Sequence, residues 1–143
     1  MIEYFRTPIR SRHPDLPPDA TIVPSSTRTV WLSGVQSWDG NETPFAPAVG
    51  PILGVGDAGE QVRVTMRNIE TILAELGGSL ADLVRAVIYV ITDDDANLDN
   101  AWAAYVEVMG DRQPATTLLG VTMLGHEPGQ EPLVEIEVTA ALA

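Results

Sequence analysis

From Leu133 to Leu142 apolar and polar residues alternate, with Val134, Ile136, Val138 and Ala140 on one side and Leu133, Glu135, Glu137 and Thr139 on the other. A period of two is that of a strand with one buried face. Residues two apart point the same way, so Glu135 and Glu137 share the polar face. Ala115 to Leu124, rich in Thr, Leu and Val, reads as a neighbouring strand, and the Gly and Pro of the intervening GHEPGQEP end both. Leu83 to Ile91 (LVRAVIYVI) is the most apolar run and predicts a central strand. Nearer the start, Thr21–Pro24 and Thr29–Val35 are short apolar runs separated by SSTR, which predicts a hairpin. Ser33-Gly34 ends the second run, where a glycine lets backbone or ligand approach closely.

Two stretches carry the other period. Between Glu60 and Leu76, the residues Val62, Met66, Ile69, Ile72, Leu73 and Leu76 recur at helical spacing, and Gly77-Gly78 stop the helix. The following SLAD offers a capping-box-like start for a single turn. Ala96 to Met109 places Leu98, Trp102, Tyr105, Val106 and Met109 on one broad face, and Gly110 ends it. Trp102 and Tyr105 at that spacing predict core side chains. Asp93, Asp94 and Asp95 lack the spacing of a calcium loop and suit the positive end of a helix dipole. Gln61 and Asn68, seven apart on one helix face, read as structural or interfacial. The order ββαβαββ defines one α+β domain over residues 1–143, with two helices on one face of a mixed sheet. Residues 1–19, with Pro8, Pro14, Pro17 and Pro18, form an irregular arm. The face without helices needs a partner or solvent, which points to a homo-oligomer.

Composition narrows the chemistry. A formal net charge of −12 repels phosphate backbones, so nucleic acid is a poor partner. No apolar run approaches the ~20 residues needed to span a bilayer, and the N-terminus MIEYFRTPIRSRHPD lacks the apolar core of a signal peptide, so a cytoplasmic protein without a membrane partner is expected. There is no Cys, which removes thiolate nucleophiles and sulfur-ligated metals. All eight basic residues are Arg, which removes lysine Schiff-base chemistry and the usual anchoring of pyridoxal phosphate. His13 and His126 lie far apart, so neither a His-rich metal site nor a Ser-His-Asp triad is expected. A GxG at Gly54–Gly56 lacks the wider dinucleotide fingerprint. Carboxylates, hydroxyls, backbone amides and bound water remain. Glu135 and Glu137 are open to two readings, a solvated sheet face or a carboxylate at the floor of a pocket.

With the elements placed, the chain resembles the Rid (YjgF) family of reactive-intermediate deaminases over roughly residues 29–141. The marks are VWLSG around Ser33, EQVRVTMRNIETILAELGGSLADLVRAVIYV with Gln61 and Asn68, the Trp102 helix, Pro114-Ala115, and VEIEVTA. The resemblance implies a chorismate-mutase-like α+β fold and a homotrimer binding a small-molecule substrate in clefts between subunits. It also implies hydrolysis of enamines and imines such as 2-aminoacrylate to ketoacids and ammonia, without metal or organic cofactor. Glu135 matches the glutamate that holds the attacking water, and the Ser33-Gly34 region matches a substrate-binding segment. One departure bears on substrate. An Arg in the family's P-A-R-S or P-A-R-T motif grips the substrate carboxylate through a bidentate pair, and Thr116 stands at that position in PATT. The Tyr-containing motif near the N-terminus of archetypal members also has no counterpart in PIRSRHPDLPP. Thr offers a hydrogen bond but no charge, so Thr116 implies a substrate other than 2-aminoacrylate, unless Arg112, four residues away, swings in.

Two functions follow. In the first, Glu135 activates water for attack on a C=N carbon while Ser33, Gly34, Thr116 and Arg112 hold the substrate. In the second, the chain is a non-catalytic trimer that binds a small molecule or a protein in the same clefts, with Trp31, Trp38 and Phe45 lining an apolar pocket. Ribonuclease activity, attached to some relatives, is disfavoured by the acidic charge and the lack of paired His.

Overall fold

Strand β6 (Val134–Leu142) lies inside a four-stranded sheet with β3 (Arg28–Trp31) on one edge and β4 (Leu83–Ile91) on the other. Beyond β4 runs β5 (Ala115–Val121), giving the order β3-β6-β4-β5. The structure, a computed structural model, describes residues 2–5, 18, 20–39, 51–92 and 95–143. The expected N-terminal arm falls mostly outside the described residues, as do Asp93, Asp94 and Phe45. Within 2–5 and 20–22 a separate two-stranded sheet pairs β1 (Glu3–Phe5) with β2 (Ala20–Ile22).

Helices α1 (Ala58–Glu75) and α2 (Asp95–Met109) pack on each other and on one face of the large sheet. Helix α1 begins at Asp57, whose side chain accepts the Glu60 N–H at 2.9 Å. It ends where Gly77 adopts φ +83°, a left-handed conformation that glycine takes without a Cβ clash. The SLAD motif forms its capping box, with Ser79 and Asp82 bonding each other's backbone ahead of β4. The helix-facing side of β6, Val134, Ile136, Val138 and Ala140, is buried against Val62, Met66, Ile69 and Leu73 of α1 and Ala101, Ala104 and Tyr105 of α2. That is the alternation read from the sequence. No helix among the described residues is long and apolar enough to cross a membrane.

Two pairings differ from expectation. The runs around Thr21 and Thr29 form no hairpin, because β2 pairs with β1 while β3 carries its ladder to β6, from Arg28 opposite Leu142 to Trp31 opposite Thr139. Strands β5 and β6 are not neighbours either. The β4-α2-β5 segment is a parallel crossover unit, so β5 takes the outer edge of β4 and β6 takes the inner one antiparallel. Turn chemistry marked both breaks in the chain, but turn residues do not choose which ladder a strand joins.

Tyr105, fully buried at the centre of α2, joins this core with its ring 5.6 Å from that of the half-buried Trp102 and its hydroxyl 3.1 Å from Thr116 Oγ1. Burial pushes its phenol up to about 12 from the ordinary 10.0. A folded-state value above the unfolded one means this group's contribution is fully present below about pH 10 and is lost as pH rises toward 12. Tyr105→Phe is therefore expected to start slightly less stable, by about 1 kcal/mol for the lost hydrogen bond, and to lose less stability between those pH values. Urea unfolding at several alkaline pH values, with tyrosinate absorbance as a second probe, checks this.

Candidate functional site

Glu135 is placed by its neighbours. Val134 and Ile136 are both fully buried toward the helices, so the pleat turns Glu135 to the open face, where it stands opposite Tyr89 of β4. On the other edge of β6 the chain leaving β3 forms a bulge. Leu32 N donates to Val138 O at 3.0 Å and Val35 N to Ile136 O at 2.9 Å, so Ser33 and Gly34 together oppose the single residue Glu137. The bulge presses Gly34 against the carboxylate. A Cβ built there would lie 2.6 Å from Glu135 Oε2 and 2.7 Å from its Cδ, closer than any side chain tolerates.

The carboxylate is held from behind. Gln36, only 2% exposed, donates from Nε2 to Glu135 Oε1 at 2.9 Å and to the Gly125 carbonyl at 2.7 Å. Both amide hydrogens are thereby used and the side chain has one orientation. The backbone that carries Gln36 is tied to α1 by Asn68, whose Nδ2 donates to the Gln36 and Trp38 carbonyls at 3.0 Å each. Gln61, fully buried one face-repeat earlier on α1, accepts the Leu133 N–H at 2.7 Å and donates to the Gly54 and Glu131 carbonyls at 3.2 and 3.4 Å. This sets the entry into β6 two residues before Glu135. Both polar helix residues are structural, as their spacing indicated. Beside Glu135 on the same face, Glu137 Oε1 accepts the Tyr89 hydroxyl at 2.7 Å. That hydrogen bond, then burial and the nearby carboxylates, hold the Tyr89 phenol above its usual range.

Within one chain the structure brings Ser33, Gly34 and Glu135 together and places Thr116 and Arg112 away from them. Thr116 pairs with Ala86 and so points to the helix side, where its hydroxyl donates to Pro114 O at 2.8 Å and meets Tyr105. Arg112 is exposed just beyond the C-terminus of α2, with its N–H on Met109 O at 3.1 Å. It precedes Ala115, which is level with Arg85, whereas Glu135 is level with Tyr89. Four residues of strand separate those levels, roughly 13 Å at ~3.3 Å each. Gln36 and Tyr89 are the neighbours of Glu135 that sequence reasoning missed. Tyr89 could have been found from its place in the alternation of β4, but nothing local marks Gln36, because its partners are 89 and 99 residues away.

A larger concavity of about 500 Å³ opens elsewhere, between the start of α1 and α2, beside Asp57, Arg63, Asn100 and Glu107. Its cation is already met, since Arg63 contacts Glu107 at 3.2 Å and Glu60 at 3.6 Å. It holds none of the groups around Glu135.

Comparison with known proteins agrees with this architecture. The family model described as Endoribonuclease L-PSP matches residues 23–142, and the chain belongs to that family, the YjgF/Rid family. A RutC family protein of Pyrococcus abyssi is 32% identical over 99 residues, 69% of this chain and 72% of that protein. A crystal structure of the conserved Rid family protein YyfB from Yersinia pestis superposes with TM-score 0.79 at 27% identity, covering 99% of this chain and 98% of that one. Escherichia coli TdcF, solved with bound serine, shares the fold at TM-score 0.60 and 21% identity over 85% of each chain.

Gly34→Ala is expected to push the Glu135 carboxylate off its seat and break the Gln36 hydrogen bond while the core stays intact. The side-chain amide resonances of Gln36 report this directly. They should shift toward free-amide positions in the variant.

Proposed function

We propose that this chain is a hydrolase of the enamine/imine deaminase type, with Glu135 as the group that orients and deprotonates water. The observation that carries the reading is the carboxylate on the open face of β6, fixed through Oε1 by the buried Gln36 amide and leaning over Gly34 with Oε2. A carboxylate held by one oxygen keeps the other for a water molecule. Water adds to the imine carbon as its proton passes to Glu135. That proton then goes to nitrogen, and the carbinolamine collapses to a carbonyl and ammonia. An enamine enters the same path after tautomerising to the imine. Ser33, exposed and without a hydrogen bond within the described residues, and the Gly34 backbone lie beside Glu135 and are the substrate contacts in this reading.

The substrate is proposed to be an imine other than 2-aminoacrylate. Thr116 carries no charge, and its hydroxyl is engaged on the helix side of the sheet. The active form is proposed to be a homotrimer with the site in clefts between subunits. In support, Trp31 and Leu119 are 75% and 42% exposed on the sheet face that the helices leave bare. Although the family description names a ribonuclease, the net charge of −12 does not suit phosphate backbones. The exposed Trp31 also keeps a second reading, a trimer that binds a small molecule without turnover. Of the residues suggested for its pocket, Trp31 is exposed and Trp38 is half-buried against the core, while Phe45 lies outside the described residues.

Ammonia release from imines generated in situ by an amino-acid oxidase, with spontaneous hydrolysis subtracted, separates the two readings. Wild type should exceed the blank and Glu135→Gln should fall at least about a hundredfold toward it, the usual worth of a general base. Equal rates for both proteins would remove Glu135 from the chemistry. Ligand-dependent thermal stabilisation with no turnover across the panel would favour the binding protein. Light scattering should give three times the 15.4 kDa chain mass.

A further inference from the structure

A carboxylate has two oxygens, and at Glu135 they are not equivalent. Oε1 accepts the Gln36 Nε2 hydrogen at 2.9 Å, while Oε2 is the atom nearest to Gly34. An N–H aimed at Oε1 excludes a proton from that oxygen, so a proton taken up by Glu135 resides on Oε2. The amide cannot exchange its donor for its own carbonyl. Nε2 also serves the Gly125 carbonyl at 2.7 Å, and turning the amide over would set an acceptor against both partners. Gln36 is almost fully buried, so little water competes for either bond.

The seat of Gln36 is held from the helix layer. Asn68 of α1 uses both hydrogens of Nδ2, one on the Gln36 carbonyl and one on the Trp38 carbonyl. Ser37, fully buried between them, donates through Oγ to the Leu53 carbonyl at 2.8 Å and accepts the Leu53 N–H at 2.8 Å. Three consecutive residues are thereby fixed from two directions. We infer that Gln36 and, through it, Asn68 are positioning residues that keep the catalytic proton on Oε2. The inference rests on the reading of Glu135 as general base. In each turnover the proton leaves water for Oε2 and passes from Oε2 to the nitrogen, and no other co-reactant enters. Without Gln36 the carboxylate can turn, or take the proton on Oε1, away from the substrate. Neither hydrogen bond of Asn68 goes to Glu135, so its loss acts through the backbone of Gln36. Both losses slow the chemistry without weakening the binding of the imine.

The test is a double-mutant cycle on the imine panel. kcat and KM are measured for wild type, Gln36→Leu, Asn68→Ala and the double variant, with Ser79→Ala as a variant that loosens the SLAD cap instead. Gln36→Leu should lower kcat at least about tenfold and Asn68→Ala by less, each with KM within about twofold of wild type. The double variant should be no slower than Gln36→Leu, because Asn68 then has nothing left to position. Ser79→Ala should keep the wild-type kcat. An unchanged kcat in Asn68→Ala, losses that multiply in the double variant, an effect confined to KM, or an equal loss in Ser79→Ala would overturn the inference. A second readout needs neither turnover nor a substitution at Gln36. The Gln36 side-chain amide resonances should move toward free-amide positions in Asn68→Ala and stay in place in Ser79→Ala. Wild-type positions in Asn68→Ala would overturn the coupling even where every protein hydrolyses imines. If wild type shows no turnover while these resonances move, the base assignment at Glu135 falls and the catalytic role with it, whereas the coupling of Asn68 to Gln36 stands.

Discussion

The fold depends on β6 being paired along both edges while it separates two environments. With β3 on one side and β4 on the other, its backbone groups are satisfied, and only the side-chain pleat remains to be accommodated. One half of the pleat, Val134, Ile136, Val138 and Ala140, supplies the floor on which both helices sit. The other half is therefore presented away from the helices, whatever its chemistry. Placing Glu135 and Glu137 there costs little because that face is not filled by the core. A one-residue slip in register would exchange the two sets and bury both carboxylates under the helices. The geometry that stabilises the core is thus the geometry that displays both carboxylates.

What β6 displays, α1 holds in place. Asn68 grips the backbone around Gln36, Gln61 grips the entry to β6, and Gln36 itself bonds Glu135. Gln36 and Gln61 are almost fully buried amides, which are destabilising when unpaired and directional when paired. Their hydrogen bonds link three remote segments, the stretch after β3, the Gly54 turn and the loop before β6. The bulge at Ser33-Gly34 completes the arrangement, because only a residue without a Cβ lets the strand pass so close to the carboxylate.

The charges on the open face divide by register. Near Glu135 they are acidic, moderated by the Tyr89 hydroxyl, and the nearest cation by register is Arg85 rather than Arg112. Thr116 reaches none of this, since a strand residue aligned with Ala86 must share its helix-facing side. In this chain Thr116 serves Tyr105 and the packing of α2.

The α+β class, the two helices with the glycines that end them, the SLAD capping box, the central character of β4 and the division of β6 into a core face and a polar face were all legible in the sequence. Each rests on periodicity or on contacts a few residues apart, such as Ser79 with Asp82. Glu135 was legible as a candidate because its face was. Strand partners were not, since a hydrophobic pattern says that a strand needs neighbours without naming them, and β3 and β6 meet across more than a hundred residues of chain. The support of Glu135 by Gln36 and the approach of Gly34 were hidden for the same reason. They exist only after β3, β6 and α1 come together, when directional hydrogen bonds between remote residues replace the local spacing that a sequence displays.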